Sequence, residues 1–155
     1  MKGILLPVHP QWAAMIYAGV KRYELRKNEP RDKEFLRQLD KPVYLYETGT
    51  GLVTGMCSFE AATVCTKTAD AAFYSTVPPE RVLQYGPGRD GKYHLWRVSG
   101  AGRFSTPLPV SLFGISRAPQ SWCYVEVGAP DPFLREGTRH EGAGACSLFE
   151  REEVF

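Results

Sequence analysis

The sequence predicts an α+β domain that contains more strand than helix. Aromatic residues make up 12% of the 155 residues and hydrophobic residues 43%, which is enough to form a core. The 15 glycines and 12 prolines favour short strands joined by many turns over long helices. At 155 residues the chain is long enough to bury the core of a compact fold, and we expect one domain.

The first 26 residues predict a strand, a helix and a second strand. The segment GILLPVHP is typical of a buried strand that ends at Pro10. PQWAAMIYAG follows with apolar residues at helical spacing and with Gly19 where a C-capping glycine belongs. From Tyr23 onward the residues alternate as in a half-buried strand, so Glu24 and Arg26 should share one face.

The middle of the chain predicts one surface helix and two further strands. Residues 30–41 have apolar side chains on one side of a polar segment, which predicts a short surface helix. PVYLYET predicts a strand with an aromatic face formed by Tyr44 and Tyr46, most simply as core. LVTGMCSFEAATVC predicts a long strand bent or bulged near Gly55, as in a small barrel.

The second half continues with helices, a loop and two strands. Residues 68–85 predict one or two helices interrupted by Pro78 and Pro79, and GPGRDG is a loop by composition. A strand is expected around Tyr93 to Val98, followed by a stretch broken by prolines, and a closing strand from Trp122 to Val127.

Composition changes after residue 127. Residues 1–127 carry 16 Lys and Arg against 11 Asp and Glu, whereas 128–155 carry three against six. The latter segment is rich in Gly, Pro, Arg and Glu, too polar to offset its ordering cost. We expect a domain over 1–127 and a flexible or loosely docked tail over 128–155. A protein-interaction adaptor that captures a protein partner through this tail is one hypothesis for function.

Location and cofactors are predicted from what the sequence lacks. No apolar run approaches about 18 residues and no signal peptide is recognisable, so we expect a soluble, cytoplasmic protein without membrane contact. The four cysteines show no metal-ligand spacing, and we expect reduced thiols that mostly pack. No metal and no cofactor are predicted.

The stretch GVKRYELRK concentrates charge at the entrance of the second predicted strand. It contains four cations and one carboxylate in nine residues. Glu24 can orient the guanidinium of Arg26 for a phosphate or a base carbonyl, with Lys21 as a phosphate anchor or a base of lowered pKa. The alternative is a solvent-exposed salt-bridge ladder, which is worth little energy.

The pattern Gly19-x-Lys21-x-x-Glu24-x-Arg26 resembles the GxKxxExR signature of the ASCH superfamily. ILLPVHPQWAAMIYAGVKRYELRK is similar to the opening of a bacterial and phage-associated ASCH group, and APQSWCYV resembles its closing strand. The resemblance spans roughly residues 1 to 127, and it implies a small PUA-like β-barrel with a few short helices.

The resemblance implies recognition of RNA, of single-stranded nucleic acid or of a modified nucleoside. Some ASCH branches are hydrolases, either ribonucleases or amidohydrolases of N4-acetylated cytidine, and by this resemblance Lys21 matches the catalytic lysine of the amidohydrolase branch. If this chain is a hydrolase, we expect Lys21 to activate water or the attacked carbonyl and Glu24 to shuttle the proton. The amidohydrolase branch has threonine three positions after that lysine, where this sequence has Glu24. The amidohydrolase branch also uses a carboxylate later in the chain. Glu60 is a guess for this residue, and the alternative is that Glu60 is an ordinary surface residue of its strand.

Four other residues are candidate ligand contacts. His9 lies between the first strand and Pro10, where it lines the barrel mouth or serves as a hydrogen-bonded structural histidine. Gln120, Ser121 and Trp122 place an amide, a hydroxyl and an indole at the start of the last strand. Such a set can read a base edge while an aromatic ring stacks on the base, although Trp122 is equally compatible with a core position.

Overall fold

The computed structural model describes residues 2–30, 41–126 and 147–148. The chain forms two compact units. The first consists of Met1–Ala13, Lys41–Cys57 and Gly102–Phe155, and the second of Ala14–Asp40 and Ser58–Ala101. Within the described ranges, no helix has the length and apolar character needed to cross a membrane.

The described residues form seven strands, three α-helices and one short 3-10 helix. In chain order they are β1 (Lys2–Val8), α1 (Pro10–Tyr17), β2 (Tyr23–Arg26), β3 (Val43–Glu47), β4 (Leu52–Cys65), α2 (Thr68–Ser75), α3 (Pro79–Tyr85), β5 (Tyr93–Pro109), the 3-10 helix (Val110–Phe113), β6 (Cys123–Glu126) and β7 (Ser147–Leu148). The strand order is β2-β5-β4-β3-β1-β6-β7. The predicted α+β class is confirmed, but over the described residues the sheet is open rather than a closed barrel, because β2 and β7 are its two edges.

The first unit contains a mixed set of strands around an aromatic core. β1 pairs with β3 in parallel and with β6 in the antiparallel sense. The ring of Tyr44 packs edge-on against Phe113 at 4.9 Å between centroids, which confirms the predicted core role of this strand face. The buried members of this core are Leu5, Tyr44, Tyr46, Val53, Phe104, Phe113, Cys123 and Val125.

A β-bulge interrupts the pairing of β3 with β4 where the sequence predicts one. Leu45 lies opposite Gly55, whereas the next residue, Tyr46, lies opposite Val53. Thr54 is therefore the extra residue on β4, next to the glycine. The bulge allows the 14-residue strand β4 to bend, and its location agrees with the bend or bulge predicted near Gly55.

In the second unit, two short helices lie beside the β2–β5 pair. α2 ends at Ser75, followed by Thr76 in the left-handed region at φ 60°. α3 begins at Pro79, where a helix tolerates proline because the first backbone amides have no intrahelical acceptor. α2 packs against α3 and against β2, so that its last turn lies close to the charged strand.

Two parts of the structure differ from the sequence-based expectation. β5 continues to Pro109 instead of ending near Val98. Most side chains beyond Val98 are exposed, so they give no alternating apolar pattern from which a strand could be predicted. Strands pair through their backbones, and such a segment can still form part of a sheet. Cys123 is disulfide-bonded, so the prediction of four reduced thiols is wrong at this residue. Linear cysteine spacing does not contain the Cα separations that decide such bonds. In the described part of the chain, Cys57 and Cys65 are reduced thiols, as predicted.

The predicted surface helix and most of the predicted tail lie outside the described residues. Residues 31–40 and 127–146 are not described, so the 30–41 helix and the boundary near residue 127 stay predictions. Ser147–Leu148 pairs antiparallel with β6. Protein capture through 128–155 and a cytoplasmic location likewise stay predictions.

Candidate functional site

The turn after α1 positions Lys21 at the entrance to β2. Gly19 has φ 77°, a left-handed conformation that glycine adopts without steric cost, and its amide donates to the Ile16 carbonyl at 3.1 Å. The amides of Val20 and Lys21 both donate to the Met15 carbonyl at 3.0 Å. These hydrogen bonds cap the C-terminal end of α1 and hold the backbone of Lys21 in place. The predicted role of Gly19 as the capping glycine is confirmed.

β2 then places Glu24 and Arg26 on one face, as their two-residue spacing predicts. In the antiparallel pairing with β5, Glu24 lies opposite Trp96 and Arg26 lies opposite His94. Directly opposite residues of an antiparallel pair share a face. Glu24, Arg26, Trp96 and His94 therefore project from the same side of this strand pair.

The charged side chains of Lys21, Glu24 and Arg26 together form a buried ion cluster. Each has a relative exposure of 1% or less. The Nε atom of Arg26 donates to Glu24 Oε1 at 3.0 Å, and Nη2 lies 3.0 Å from the same oxygen. Burial of all three side chains overturns the alternative of a solvent-exposed salt-bridge ladder.

The ammonium of Lys21 is held by the last residue of α2. Lys21 Nζ donates to the Ser75 carbonyl oxygen at 2.5 Å across 54 positions of sequence. Burial lowers the pKa of Lys21 from 10.5 to about 8; the Glu24 carboxylate opposes this shift, whereas Arg26 adds to it. The lysine is thus mostly protonated near neutral pH but loses its proton far more readily than a lysine in water.

Glu24 uses its two carboxylate oxygens differently. Oε1 accepts from the Arg26 guanidinium, whereas Oε2 is buried and has no hydrogen-bond partner among the described residues. A buried carboxylate oxygen without a donor is costly, since desolvation is not compensated. Oε2 is therefore the atom of the ion cluster best suited to accept a hydrogen bond from a ligand.

Aromatic packing supports the ion cluster from β5. Trp96, opposite Glu24, packs edge-on against Phe59 with ring centroids 5.0 Å apart. Its indole Nε1 donates to the Asn28 carbonyl at 3.1 Å. This hydrogen bond connects Trp96 to the chain two residues after β2. The indole next to Glu24 is therefore held on one side by Phe59 and on the other by Asn28.

Comparison with solved structures reveals the fold family. ASCH from Zymomonas mobilis superposes with a TM-score of 0.65 at 16% sequence identity, covering 81% of this chain and 88% of that chain. Two point mutants of that protein match similarly. One superposes with a TM-score of 0.65 at 16% identity, covering 82% of this chain and 92% of that chain. The other superposes with a TM-score of 0.63 at 15% identity, covering 81% of this chain and 89% of that chain. The fold is that of the ASCH proteins. This confirms the predicted ASCH-type fold, while the bacterial and phage-associated grouping stays a prediction.

No protein-family model matches the chain. No curated protein matches it either. Since the ASCH structures share 15–16% identity with it, the similarity extends to the fold, and the chemistry of the ion cluster follows from this chain's own residues.

The remaining predicted ligand residues lie in the first unit of the ASCH fold. His9 is half-buried, and its carbonyl accepts from the amides of the first turn of α1. Gln120 is exposed, whereas Ser121 and Trp122 are buried. Ser121 Oγ lacks a hydrogen-bond partner among the described residues, and Trp122 packs edge-on against Tyr124 at 5.6 Å. Ligand contact by these four residues stays a prediction.

Glu60, the guessed second carboxylate, lies on the surface of β4 in the second unit. Its Oε2 lies 3.2 Å from Arg97 Nε, and 37% of the Glu60 side chain is exposed. This pair is an ordinary exposed ion pair. Across the residues that the structure describes, no three or more His, Cys, Asp or Glu side chains form a group able to hold a metal ion.

Sequence reasoning missed a histidine held between two carboxylates on the Arg26 face. His94 Nε2 lies 2.9 Å from Asp90 Oδ2, and Nδ1 lies 3.6 Å from Glu29 Oε2. The hydrogen bond with His94, followed by that from the Lys92 amide, lowers the pKa of Asp90. The alternation of His94 with Trp96 in a predicted strand was the only signal for this site. Nothing in the sequence indicated Glu29 or the Ser75 carbonyl as partners.

Proposed function

We propose that this chain recognises a nucleotide or single-stranded RNA through the buried ion cluster. The observation that carries the proposal is Glu24 Oε2, a buried carboxylate oxygen that has no hydrogen-bond partner among the described residues. The other oxygen of the same carboxylate binds the Arg26 guanidinium, and the Lys21 ammonium is attracted to the carboxylate. Two cations and one anion are net positive, which suits an anionic ligand. The ASCH fold supports the same ligand class, because the family resemblance implies recognition of RNA or modified nucleotides.

Each member of the cluster has a distinct role in this proposal. Glu24 Oε2 accepts a hydrogen bond from a base N–H group, as carboxylates do with the N4 amino group of cytosine. Arg26 holds the carboxylate by binding Oε1, and this fixes the direction of Oε2. Lys21 supplies the charge that attracts a phosphate or a base carbonyl.

Binding of cytidine 5′-monophosphate and of a short single-stranded RNA, measured by isothermal titration calorimetry, tests the proposal. Glu24→Gln should weaken both ligands between about 5-fold and about 150-fold, the discrimination expected of one good base contact. Glu80→Gln is the matched control, since it removes the same charge from an exposed position on α3. Equal affinities for Glu24→Gln and the intact protein would refute the proposal.

Folding must be separated from recognition in this test, because Glu24 also neutralises a buried arginine. Near-ultraviolet circular dichroism of the tryptophans reports whether each variant keeps its packing. Lys21→Met is the second variant, since it leaves the Glu24–Arg26 pair intact. Retained affinity for both ligands in a folded Lys21→Met protein would also contradict the proposed cluster.

A hydrolase acting on an N4-acylated cytidine or on RNA is the second candidate function. It is favoured by the pKa of about 8 of Lys21, which makes a neutral amine accessible under mild conditions. With an acylated cytidine, the amine takes a proton from water as the oxygen attacks the acyl carbon. Glu24 accepts this proton from the Lys21 ammonium and transfers it to the departing amino group as the carbon–nitrogen bond breaks, which gives cytidine and a carboxylic acid and returns both side chains to their starting states.

Turnover of N4-acetylcytidine, followed by chromatography, tests the second candidate. The rate should rise with pH through about 8, as the lysine loses its proton, and Lys21→Met should abolish it. Absence of turnover by the intact protein over a panel of acylated nucleosides would eliminate the amidohydrolase, and uncleaved RNA substrates would eliminate the ribonuclease.

A further inference from the structure

His94 has one ring nitrogen that makes no hydrogen bond with the described residues. The residue has a relative exposure of 8%, and its Nδ1 atom is buried. Glu29 Oε2 lies 3.6 Å from Nδ1, which is longer than a hydrogen bond of about 2.7–3.2 Å. A buried polar atom without a hydrogen bond is costly, so Nδ1 is suited to bind a ligand group.

Asp90 determines which ring nitrogen of His94 carries the proton. Asp90 Oδ2 lies 2.9 Å from His94 Nε2. This hydrogen bond is the largest of the effects that lower the pKa of Asp90, so the carboxylate is ionised near neutral pH and only accepts. Nε2 is therefore the donor, and in the neutral ring Nδ1 is an acceptor. His94 Nδ1 and Glu29 Oε2 thus form an acceptor pair, two neighbouring acceptors that require donors from a third group.

The acceptor pair adjoins the buried ion cluster on the same face of the β2–β5 pair. His94 lies directly opposite Arg26, and Trp96 directly opposite Glu24. Glu24 and His94 are therefore diagonal neighbours on one face, which lie about 7–8 Å apart in an antiparallel pair. The Arg26 guanidinium between them is bound to Glu24 Oε1. A single nucleoside has the length to reach from Glu24 Oε2 to the acceptor pair.

Exposure to solvent increases from Glu24 towards the acceptor pair. The side chain of Glu24 is 1% exposed. That of Glu29 is 24% exposed, and that of Asp90 is 47% exposed. A ligand that enters from solvent at Glu29 and Asp90 places its inner part at Glu24 and its outer part at the acceptor pair. For a nucleoside whose base binds Glu24 Oε2, the outer part is the sugar.

We propose that the acceptor pair binds the 2′,3′-diol of a ribonucleoside whose base is bound by the ion cluster. The two adjacent hydroxyl groups of the diol donate one hydrogen bond each, to His94 Nδ1 and to Glu29 Oε2. This inference rests on the proposed function and specifies its ligand as a free ribonucleotide or the 3′ terminus of an RNA. A deoxynucleotide lacks one of the two donors and leaves one acceptor unsatisfied.

Isothermal titration calorimetry with three nucleotides tests this inference on the full chain. The ligands are cytidine 5′-monophosphate and its 2′-deoxy and 3′-deoxy analogues, which share one base and one phosphate, so that affinity ratios isolate the hydroxyl groups. The intact protein should bind the ribonucleotide between about 5-fold and about 150-fold more tightly than either analogue. Equal affinity for all three would refute the diol site while the proposed function survives. If none of the three binds, the proposed function fails and this inference fails with it.

Two substitutions in the acceptor pair separate recognition from folding. His94→Phe keeps a ring but removes Nδ1, and Glu29→Ala removes the other acceptor. Each should abolish the preference over one of the two deoxy analogues, because each acceptor binds one hydroxyl group. A merely structural role would weaken all three ligands alike, and that result would overturn the inference. If His94→Phe does not fold, Glu29→Ala decides. Glu80→Ala, at an exposed position of α3, is the matched control and should keep both preferences.

Two RNA pentamers that end in cytidine distinguish the two sources of the diol. One has a free 3′-hydroxyl group and the other a 3′-phosphate, and each competes with cytidine 5′-monophosphate for the intact protein. Competition by the first alone identifies the RNA 3′ terminus as the ligand, and competition by neither identifies the free ribonucleotide. Equal competition by both would mean that an internal nucleotide without a diol is bound, and the inference would be wrong.

Discussion

Replacing Lys21 by methionine tests the energetics of the buried ion cluster. Burial lowers the pKa of this lysine from 10.5 to about 8, and each pKa unit corresponds to about 1.4 kcal/mol. Keeping the ammonium charged therefore costs the folded state about 3 kcal/mol. Against this stands one charge-assisted hydrogen bond to Ser75, worth about 1.5–3 kcal/mol. The two effects nearly cancel, so Lys21→Met should change the free energy of unfolding by less than about 2 kcal/mol near neutral pH.

The pH dependence of this difference has a definite sign. The unfolded chain binds the Lys21 proton up to about pH 10.5, whereas the folded chain releases it near pH 8. Between those values the unfolded state binds more protons, so the stability of the intact protein rises with pH. From about pH 7 to about pH 10, the free energy of unfolding of the intact protein should rise by about 2 kcal/mol relative to that of Lys21→Met.

Urea unfolding followed by tryptophan fluorescence measures this difference at each pH. Lys67→Met, at an exposed position, serves as the matched control, and its stability difference from the intact protein should be nearly constant over the same range. A constant difference between the intact protein and Lys21→Met would refute the reasoning, because it would mean that the ammonium is not desolvated in the fold.

Three further predictions concern the surroundings of the cluster. Arg26→Met should destabilise the fold by about 3–5 kcal/mol, since it leaves the buried Glu24 carboxylate without its guanidinium. Gly88→Ala should cost about 1–3 kcal/mol or more, because a Cβ there would lie 2.1 Å from the Lys27 carbonyl oxygen. Asp90→Asn should reduce the acid-induced loss of stability: the pKa of Asp90 is lowered in the fold, so its contribution is present above the ordinary carboxyl range and is lost as pH falls through the lowered value.

Matched controls accompany these three changes in the same unfolding assay. Arg103→Met removes an arginine whose side chain is 51% exposed and lies 3.4 Å from Glu47, and it should change stability by less than about 1 kcal/mol, because the solvent screens this arginine. A Cβ at Gly102 would meet nothing within 4 Å, so Gly102→Ala should be mild. Asp70→Asn, exposed on α2, should show no comparable change in acid stability. Equal effects of test and control variants would contradict the corresponding prediction.

Much of the fold could be predicted because its signals lie within a few residues of one another. The helix capped by Gly19, the strand alternation from Tyr23 and the break at Pro78 depend on backbone preferences and short-range spacing. The same applies to the bulge near Gly55, where glycine permits the local change in register. These elements appear in the structure close to their predicted positions.

The state of the charged strand could not be read in the same way. The pattern GxKxxExR names Lys21, Glu24 and Arg26 and their two-residue face, but it is compatible with either a solvated edge or a buried cluster. The choice depends on the helix that ends at Ser75, a residue 54 positions from its lysine partner, and on Trp96 from the opposite strand. Linear spacing contains neither of these contacts.

The sequence by itself therefore determined which charged groups lie at the entrance of β2 and in which order most helices and strands follow along the chain. Turns, helix caps and strand alternation depend on neighbouring residues, so they can be predicted from short segments. Packing between distant segments removed the lysine, the glutamate and the arginine from water and left one carboxylate oxygen without a donor among the described residues. Desolvation is a property of everything that surrounds a side chain, so it exists only once those distant segments meet.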